Sequence, residues 1–345
     1  MDRNKIIYEL NKLRVQGSLM AKWTPRKGKT SARIRNFMRM TAKQFRKMLV
    51  ENTQVVETQM CEKKWDEITY SHVPSVAMTR YTKAFARHDN DRFVQFLNRV
   101  REGGVNPETG KVEKINTGAV YPYNVLAIDD PLTQDTMWQK LEDFVPQGLS
   151  FMPIIDTSGS MGTTVSGSTT AMDVAVSLGI YLAERNKGAF KDLWINFSTQ
   201  PSIQKLRGAT IGERVRNLDY RNWCGSTNLE AAMKLIVNTA INNNVAKEDM
   251  PQFLLVLSDM EFNSWGNAAP GEQIKKLFSD SGYDAPNIIW WNIDSRNGST
   301  PVRSNERGMA LVSGFSPTIV QSLLGGNVTP LNIMLETIMK DRYSF

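Results

Sequence analysis

Two kinds of hydrophobic pattern divide this chain of 345 residues near position 150. Ahead of that point, apolar residues recur at intervals of three and four, which is typical of amphipathic helices. Beyond it, short continuous apolar runs alternate with amphipathic stretches, which is typical of buried parallel strands connected by helices. The pattern predicts a mainly helical region over 1–145 and an α/β domain over 146–345.

In the first region the helical period is clearest in four segments. The predicted helices cover 4–17, 41–68, 74–89 and 90–104, a polar loop covers 105–120, and helical or mixed structure resumes from 121. Thr41 suits the N-cap of the second helix, and Gly103 suits the end of the fourth. Trp23, Phe37 and Phe45 lie among charged residues, where they either stack on bases or pack inward, and packing is the favoured interpretation.

In the second region the apolar runs predict five strands and one edge strand. The five runs are 149–156, 192–199, 252–259, 287–294 and 308–315, with the edge strand in 201–208. Predicted helices separate them at 170–188, 210–218, 228–244 and 270–282, and two more close the chain at 316–326 and 329–343. This alternation predicts a doubly wound, mostly parallel sheet with helices on both faces.

The stretch PIIDTSGSMG, residues 153–162, places one carboxylate and two hydroxyls at alternate positions after the first run. Neither GxGxxG nor GxxxxGK[ST] occurs there, so neither the dinucleotide nor the P-loop fingerprint is present. In an extended stretch Asp156, Ser158 and Ser160 point the same way, and their oxygens suit a hard cation.

Further oxygen ligands are expected from neighbouring strand ends, because doubly wound sheets bind ligands at the carboxyl edge of their strands. Thr227 lies in a Gly-Ser-Thr loop ahead of a helix, and Asp259 ends the run LLVLSD. The five residues Asp156, Ser158, Ser160, Thr227 and Asp259 are therefore the predicted metal site. Mg²⁺ is the expected cation, with Mn²⁺ or Ca²⁺ as alternatives.

These motifs resemble the metal-ion-dependent adhesion site of von Willebrand factor A domains, over residues of about 149–342. The resemblance implies that Asp156, Ser158, Ser160 and Thr227 are direct or near-direct ligands and that Asp259 binds directly or through water. It also implies an open coordination position for water or for an acidic side chain of a partner protein.

Charge is distributed unevenly along the chain. Residues 1–115 carry a net charge of +12 and the remainder −5, and no acidic residue occurs between Leu10 and Val50. Such a cluster attracts polyanions or docks on an acidic protein surface. The residues assigned to nucleic-acid binding are Lys22, Arg26, Lys27, Lys29, Arg33, Arg35, Arg39, Lys43, Arg46 and Lys47.

The segments KWTPRKGKT, SDMEF and VSGFSPTIV, with 55–89, resemble the family called domain of unknown function 2828. That family is remotely similar to TROVE proteins, including the Ro autoantigen, which join a helical-repeat RNA-binding ring to a von Willebrand A domain. The helical part here is much shorter than such a ring, so a partial helical array is expected.

These features favour a binding protein over an enzyme. The only histidines, His72 and His88, lie in the helical half, and Ser158 and Ser160 lie outside any G-x-S-x-G elbow. Three functions stay open: an RNA-binding, Ro-like protein with a metal-dependent protein partner; an assembly module, viral or phage in origin, without nucleic acid; and a metal-dependent hydrolase.

The expected location is intracellular and cytoplasmic, or virion-associated if the protein is viral. The N-terminus lacks the apolar core of a secretory signal, and no apolar run is long enough for a membrane span. Cys61 and Cys224 fit no metal spacing, and a reduced setting is the simpler interpretation, with one disulfide left open.

Overall fold

The structure is a computed structural model. It describes residues 10–14, 19–53, 55–107, 109–146, 148–221, 223–263, 269–294 and 308–316, with a few single positions between 319 and 339. The chain divides into two compact units, residues 1–116 and 117–345.

The first unit is helical, as predicted. Its helices are α1 (Leu19–Trp23), α2 (Gly28–Phe37), α3 (Ala42–Glu51), α4 (Val56–Cys61), α5 (Ser75–His88) and α6 (Asn90–Glu102). Gly103 ends α6 in the left-handed conformation at φ 68°, which glycine adopts at little cost. The predicted helices 74–89 and 90–104 are confirmed by α5 and α6.

The predicted single helix over 41–68 is wrong, because the chain breaks between α3 and α4. Thr41 caps α3 as expected and forms a reciprocal capping box with Gln44. At the other end, the side chains of Asn52 and Thr53 donate to the carbonyls of Met48 and Leu49, at 2.8 and 2.5 Å. Such local side-chain bonds satisfy the last carbonyls of a helix and compete with its continuation.

The first unit contains two groups of buried side chains. Phe45, Met48 and Leu49 of α3 form one with Leu13 and Ala21. The other is aromatic: the Tyr70 ring lies 5.0–5.5 Å from the rings of Phe85, Phe93 and Phe96. These groups fix the inward faces of α3, α5 and α6.

The second unit alternates strands and helices. Its helices are α7 (Pro122–Leu126), α8 (Pro131–Gln139), α9 (Ala171–Arg185), α10 (Ile211–Arg216), α11 (Leu229–Asn242) and α12 (Pro270–Asp280). Its strands are β1 (Phe151–Asp156), β2 (Thr164–Ser166), β3 (Thr169–Thr170), β4 (Leu193–Phe197), β5 (Ser202–Lys205), β6 (Phe253–Ser258), β7 (Asn287–Asn292) and β8 (Met309–Ser313).

Six of these strands form one sheet in the order β5-β4-β1-β6-β7-β8. β5 is antiparallel to β4, and all other neighbours are parallel. The chain builds outward from β1 to β4 on one side and to β6 on the other, so strand order reverses at β1. The predicted doubly wound, mostly parallel sheet is confirmed.

Both faces of the sheet are covered, which explains the continuous apolar runs. Met152 and Ile154 of β1 pack with α11 and α12. On the other face, the next side chain along β1, Ile155, meets α9 at Gly179. A Cβ at Gly179 would lie 2.5 Å from Ile155 Cδ1, so only glycine lets this helix approach the central strand so closely.

Residues 117–146 belong to the second unit, whereas the sequence pattern placed the boundary at 145/146. The Trp138 indole on α8 donates to the Glu184 carboxylate on α9 at 2.5 Å. The Tyr181 hydroxyl donates to the Glu142 carbonyl at 2.6 Å. These contacts depend on side chains meeting across helices, which helical periodicity alone does not reveal.

The predicted helix 4–17 and the closing helices 316–326 and 329–343 lie largely outside the described residues. Within the described part of the chain, no helix has the length and apolar content to cross a bilayer. Cys61 and Cys224 are exposed free thiols.

Replacing Arg214 by alanine is expected to destabilise the second unit by about 1–3 kcal/mol. The Arg214 guanidinium lies 3.7 Å from the Glu184 carboxylate and 3.1 Å from the Asp192 carboxylate, and all three side chains are mostly buried. Urea denaturation followed by tryptophan fluorescence measures the effect, because Trp138, Trp194, Trp290 and Trp291 are buried in this unit.

The matched control is Arg221→Ala. The Arg221 side chain is 85% exposed although it pairs with Asp219 at 2.6 Å, so its loss is expected to leave stability unchanged. Equal effects of the two substitutions would contradict the structural role given to Arg214.

Candidate metal centre

The Asp156 carboxylate lies fully buried at the carboxyl end of the central strand β1. Its Oδ1 accepts a hydrogen bond from the Ser158 amide at 2.9 Å, and its Oδ2 accepts one from the Ser258 hydroxyl at 2.5 Å. Ser258 ends the neighbouring strand β6. The carboxylate is therefore fixed by its own loop and by the adjacent strand.

The hydroxyls of Ser158 and Ser160 lie 3.1 Å apart. Ser158 is buried and begins the 3-10 turn over Gly159–Gly162, whereas Ser160 is half-buried within it. The tight turn brings these two hydroxyls together immediately after the Asp156 carboxylate. Three of the five predicted oxygen ligands thus come from one short loop.

The Gly-Ser-Thr loop is held beside this turn by its backbone. The Cys224 amide donates to the Thr157 carbonyl at 2.7 Å, and the Gly159 amide donates to the Gly225 carbonyl at 3.0 Å. A Cβ at Gly225 would collide with the Thr199 hydroxyl after β4. Glycine is required here because the loop lies directly against the end of β4.

Thr227 follows that loop and is buried. Its carbonyl accepts from the Asn263 amide at 2.9 Å, which ties it to the segment after β6. The next residue, Asn228, caps α11 by accepting from the Ala231 amide at 3.0 Å. Loops after β1, β4 and β6 therefore surround Thr227.

Asp259 is buried immediately after β6, and its Oδ1 accepts from the Glu261 amide at 3.2 Å. The structure thus brings all five predicted residues to one edge of the sheet. Their donor set is two carboxylates and three hydroxyls, which fits a hard cation. No cluster of three or more His, Cys, Asp or Glu side chains suited to a metal occurs among the described residues.

Burial raises the pKa of Asp156 to about 6, with a smaller contribution from the negative charge of Asp259. Hydrogen bonds from Ser158 and Ser258 act in the opposite direction and favour the carboxylate. Desolvation is the larger effect, so without a cation this side chain is costly to ionise in the folded protein. A bound cation would supply the compensating positive charge.

Two neighbouring residues were absent from the predicted site. Ser258 links the two strands, since its hydroxyl donates to Asp156 and accepts from the Met260 amide at 3.0 Å. Asp294, just beyond β7, accepts from the Thr163 hydroxyl at 3.1 Å. The sequence could have indicated Ser258, because it precedes Asp259 at the end of an apolar run. For Asp294 the only indication in the sequence was its position at the end of an apolar run.

The ten basic residues assigned to nucleic-acid binding lie on or between α1, α2 and α3. All are exposed except Arg35, which is half-buried. Phe45 packs inward as expected, but Trp23 is 76% and Phe37 43% exposed, so the inward packing expected for these two is wrong. Apolar character alone did not show which helix face each ring occupies.

Two family models match this chain. Domain of unknown function DUF7788 matches residues 150–340, which is more than half of the chain. Domain of unknown function DUF2828 matches residues 5–139, and it confirms the resemblance predicted from the sequence.

One curated relative is the uncharacterized protein L728 of Acanthamoeba polyphaga mimivirus. The two are 28% identical over 351 residues, which cover 93% of this chain and 60% of that protein. This chain therefore spans less than two thirds of the relative's length.

Two solved structures show weak likeness to this chain. The Ro (RSR) protein of Deinococcus radiodurans matches with a TM-score of 0.45 and 14% identity, over 95% of this chain and 65% of that one. An aerotolerance-related membrane protein from Bacteroides fragilis matches with a TM-score of 0.31 and 17% identity, over 56% of this chain and 98% of that one.

In the absence of divalent cations, the contribution of Asp156 to stability is expected to fall by about 3 kcal/mol as pH rises from about 4 to about 6. The raised pKa of Asp156 is the cause. Below the unfolded-state pKa both states are protonated; between the two values only the folded state still holds the proton, so stability is lost as pH increases. Urea denaturation with chelator across this range measures the loss.

Asp156→Asn is expected to remove most of that pH dependence, because the amide does not ionise. Asp280→Asn is the matched control, since Asp280 lies exposed on α12 and its variant is expected to keep the wild-type profile. An unchanged profile in Asp156→Asn would show that another group is responsible.

Proposed function

This chain belongs to the DUF7788 family and carries a DUF2828 region ahead of that domain, and for the second unit we propose cation-dependent binding of a partner protein. The observation that supports this proposal is the placement of five residues with oxygen-bearing side chains, all but Ser160 buried, at the carboxyl edge of the sheet. Three strand ends meet there, at the point where strand order reverses.

Asp156, Ser158, Ser160 and Thr227 would hold Mg²⁺ directly or nearly so, and Asp259 would hold it directly or through water. When bound, the cation would present positive charge to an anionic oxygen of another molecule. An Asp or Glu side chain of a partner is the proposed ligand for the remaining position. Mn²⁺ or Ca²⁺ would suit the same oxygen donors.

The proposed activity is binding without turnover. No histidine occurs in residues 117–345, and Ser158 and Ser160 have no imidazole partner from that part of the sequence. A hydrolase would need a group to move protons beside the cation. Asp156 is poorly suited to that role, since its carboxylate is itself a proposed ligand of the cation.

Thr227→Val is expected to weaken Mg²⁺ binding by about tenfold or more, because it removes one oxygen ligand while preserving side-chain shape. Isothermal titration calorimetry with MgCl₂ measures the affinity. Mg²⁺-dependent capture of proteins from lysate, compared with and without chelator, is expected to be lost in parallel.

Ser226→Ala is the control for that substitution. Ser226 precedes Thr227 but is exposed, and its hydroxyl lies 3.3 Å from that of Thr199 rather than in the donor set. Wild-type Mg²⁺ affinity is expected in this variant. If Thr227→Val also binds Mg²⁺ normally, the oxygen donors named here do not form the site.

For the first unit we propose RNA binding through the basic helices. The observation that favours it is the exposure of nine of the ten assigned cations on α1 to α3 and their connections. Across residues 10–50 no carboxylate side chain is present to neutralise them locally. A surface of this kind attracts phosphates and releases their counterions on binding.

A triple variant, Arg26→Gln, Lys29→Gln and Arg33→Gln, is expected to bind RNA more weakly and with a smaller dependence on salt. Each lost phosphate contact lowers the slope of log affinity against log salt by about 0.7, so a decrease of about 2 is expected. Fluorescence anisotropy with a labelled RNA over a salt series gives both quantities.

The control removes equal charge from the second unit: Lys205→Gln, Lys234→Gln and Lys276→Gln, all at exposed positions. Its salt slope is expected to match the wild type. Equal weakening in both triple variants would indicate a general charge effect. Wild-type protein that binds no RNA at low salt would instead favour an assembly module whose basic surface docks on an acidic protein.

A further inference from the structure

Trp23 and Phe37 are large aromatic side chains exposed among the cations of the first unit. Trp23 is 76% exposed at the end of α1, and Phe37 is 43% exposed at the end of α2. Exposure of a large aromatic surface to water is unfavourable. A ligand that covers these two rings would therefore gain binding free energy from the apolar area that it buries.

The faces of α2 show that Phe37 does not belong to the core. Ser31 is buried, and Ile34 and Met38 pack against the cluster around Phe45, which defines the inward face. Lys29, Arg33 and Phe37 are spaced four residues apart and are all exposed. Side chains at that spacing lie in one row on a helix, so two cations and one ring share the outward face.

Four cations of this unit have no acidic partner among the residues that the structure describes. Arg26, Lys27, Lys29 and Arg33 form no ion pair with any residue the structure describes. Binding of a polyanion would reduce their mutual repulsion. This favours a polyanionic ligand that can cover the exposed rings as well.

Trp23 already has a cation against its ring. The Lys22 ammonium lies 5.5 Å from the ring centroid, within cation–π range. Only five residues separate Trp23 from Lys29, so an extended chain bounds their separation at roughly 20 Å. A phosphate and a base of one nucleotide would meet Lys22 and Trp23 together.

We propose that Lys22, Trp23, Lys29, Arg33 and Phe37 form a stacking surface for single-stranded nucleic acid. Unpaired bases stack on the two rings while the cations contact the backbone. The inference rests on the RNA binding proposed for this unit and names its substrate class. Duplex is a poor ligand because its base faces are covered by neighbouring pairs.

The same surface is a weaker match to a membrane. Amphipathic helices that lie in lipid present a continuous apolar face opposite their cations. On α2, Phe37 instead lies in the same row as Lys29 and Arg33, and the apolar residues Ile34 and Met38 face the core. Insertion of this face into lipid would carry the two cations with it.

The test compares a labelled oligouridylate of about 12 nucleotides with an RNA duplex of equal length, by anisotropy with the full chain. Single strand is expected to bind about tenfold or more tightly. Trp23→Ala and Phe37→Ala are each expected to weaken single-strand binding by about fivefold or more, with the salt slope unchanged.

Two further variants separate stacking from general effects. Trp23→Phe keeps an aromatic face and is expected to retain most of the affinity. Val50→Ala removes an exposed aliphatic side chain from α3 in the same unit and is expected to change nothing. Because Trp23, Phe37 and Val50 are all exposed, their substitution is expected to preserve the fold. Thermal unfolding of each variant checks this.

The outcomes distinguish the stacking surface from the RNA binding proposed for the first unit. RNA binding that survives both alanine substitutions and does not prefer single strands would overturn the stacking surface and leave charge-driven RNA binding intact. Absence of RNA binding at low salt would overturn both. Binding to phosphatidylserine vesicles that requires Trp23 and Phe37, without RNA binding, would assign the surface to a membrane.

Discussion

The buried carboxylate of Asp156 is the constraint on which the functional edge of the second unit depends. It lies at the end of the central strand, where water is excluded, and burial raises its pKa to about 6. Ser158, in the loop after β1, and Ser258, at the end of β6, donate to its two oxygens. Ionising a carboxyl group buried in this way is costly, and the proposed cation would offset that cost.

The sheet and this edge could be predicted because strands that are buried on both faces appear in the sequence as continuous apolar runs. The six residues of β1 are all buried and all but one are apolar, which is why the run ending at Asp156 identified a strand. Thr227 and Asp259 followed from topology, since the carboxyl ends of parallel strands share an edge. Ser258 was harder, because its bond to Asp156 joins positions 102 residues apart.

Other features depend on individual side-chain contacts, which a pattern of apolar positions does not predict. The end of α3 is decided by the local bonds of Asn52 and Thr53, although the apolar period continues through them. Residues 117–146 join the second unit through particular partners such as Trp138 and Glu184. The exposure of Trp23 and Phe37 could likewise not be predicted, because the residue type alone does not say which face of a helix an aromatic side chain occupies.

The composition of the predicted donor set bears on what this edge of the sheet would bind with the proposed cation in place. Asp156 and Asp259 together carry at most two negative charges, while Ser158, Ser160 and Thr227 contribute neutral oxygens. A divalent cation held this way would be no more than neutralised, so an additional carboxylate could approach it without strong repulsion. A site built from three or four carboxylates would repel such a ligand. With the proposed cation bound, the use of hydroxyls in place of further acidic side chains would thus make this edge suited to an acidic partner.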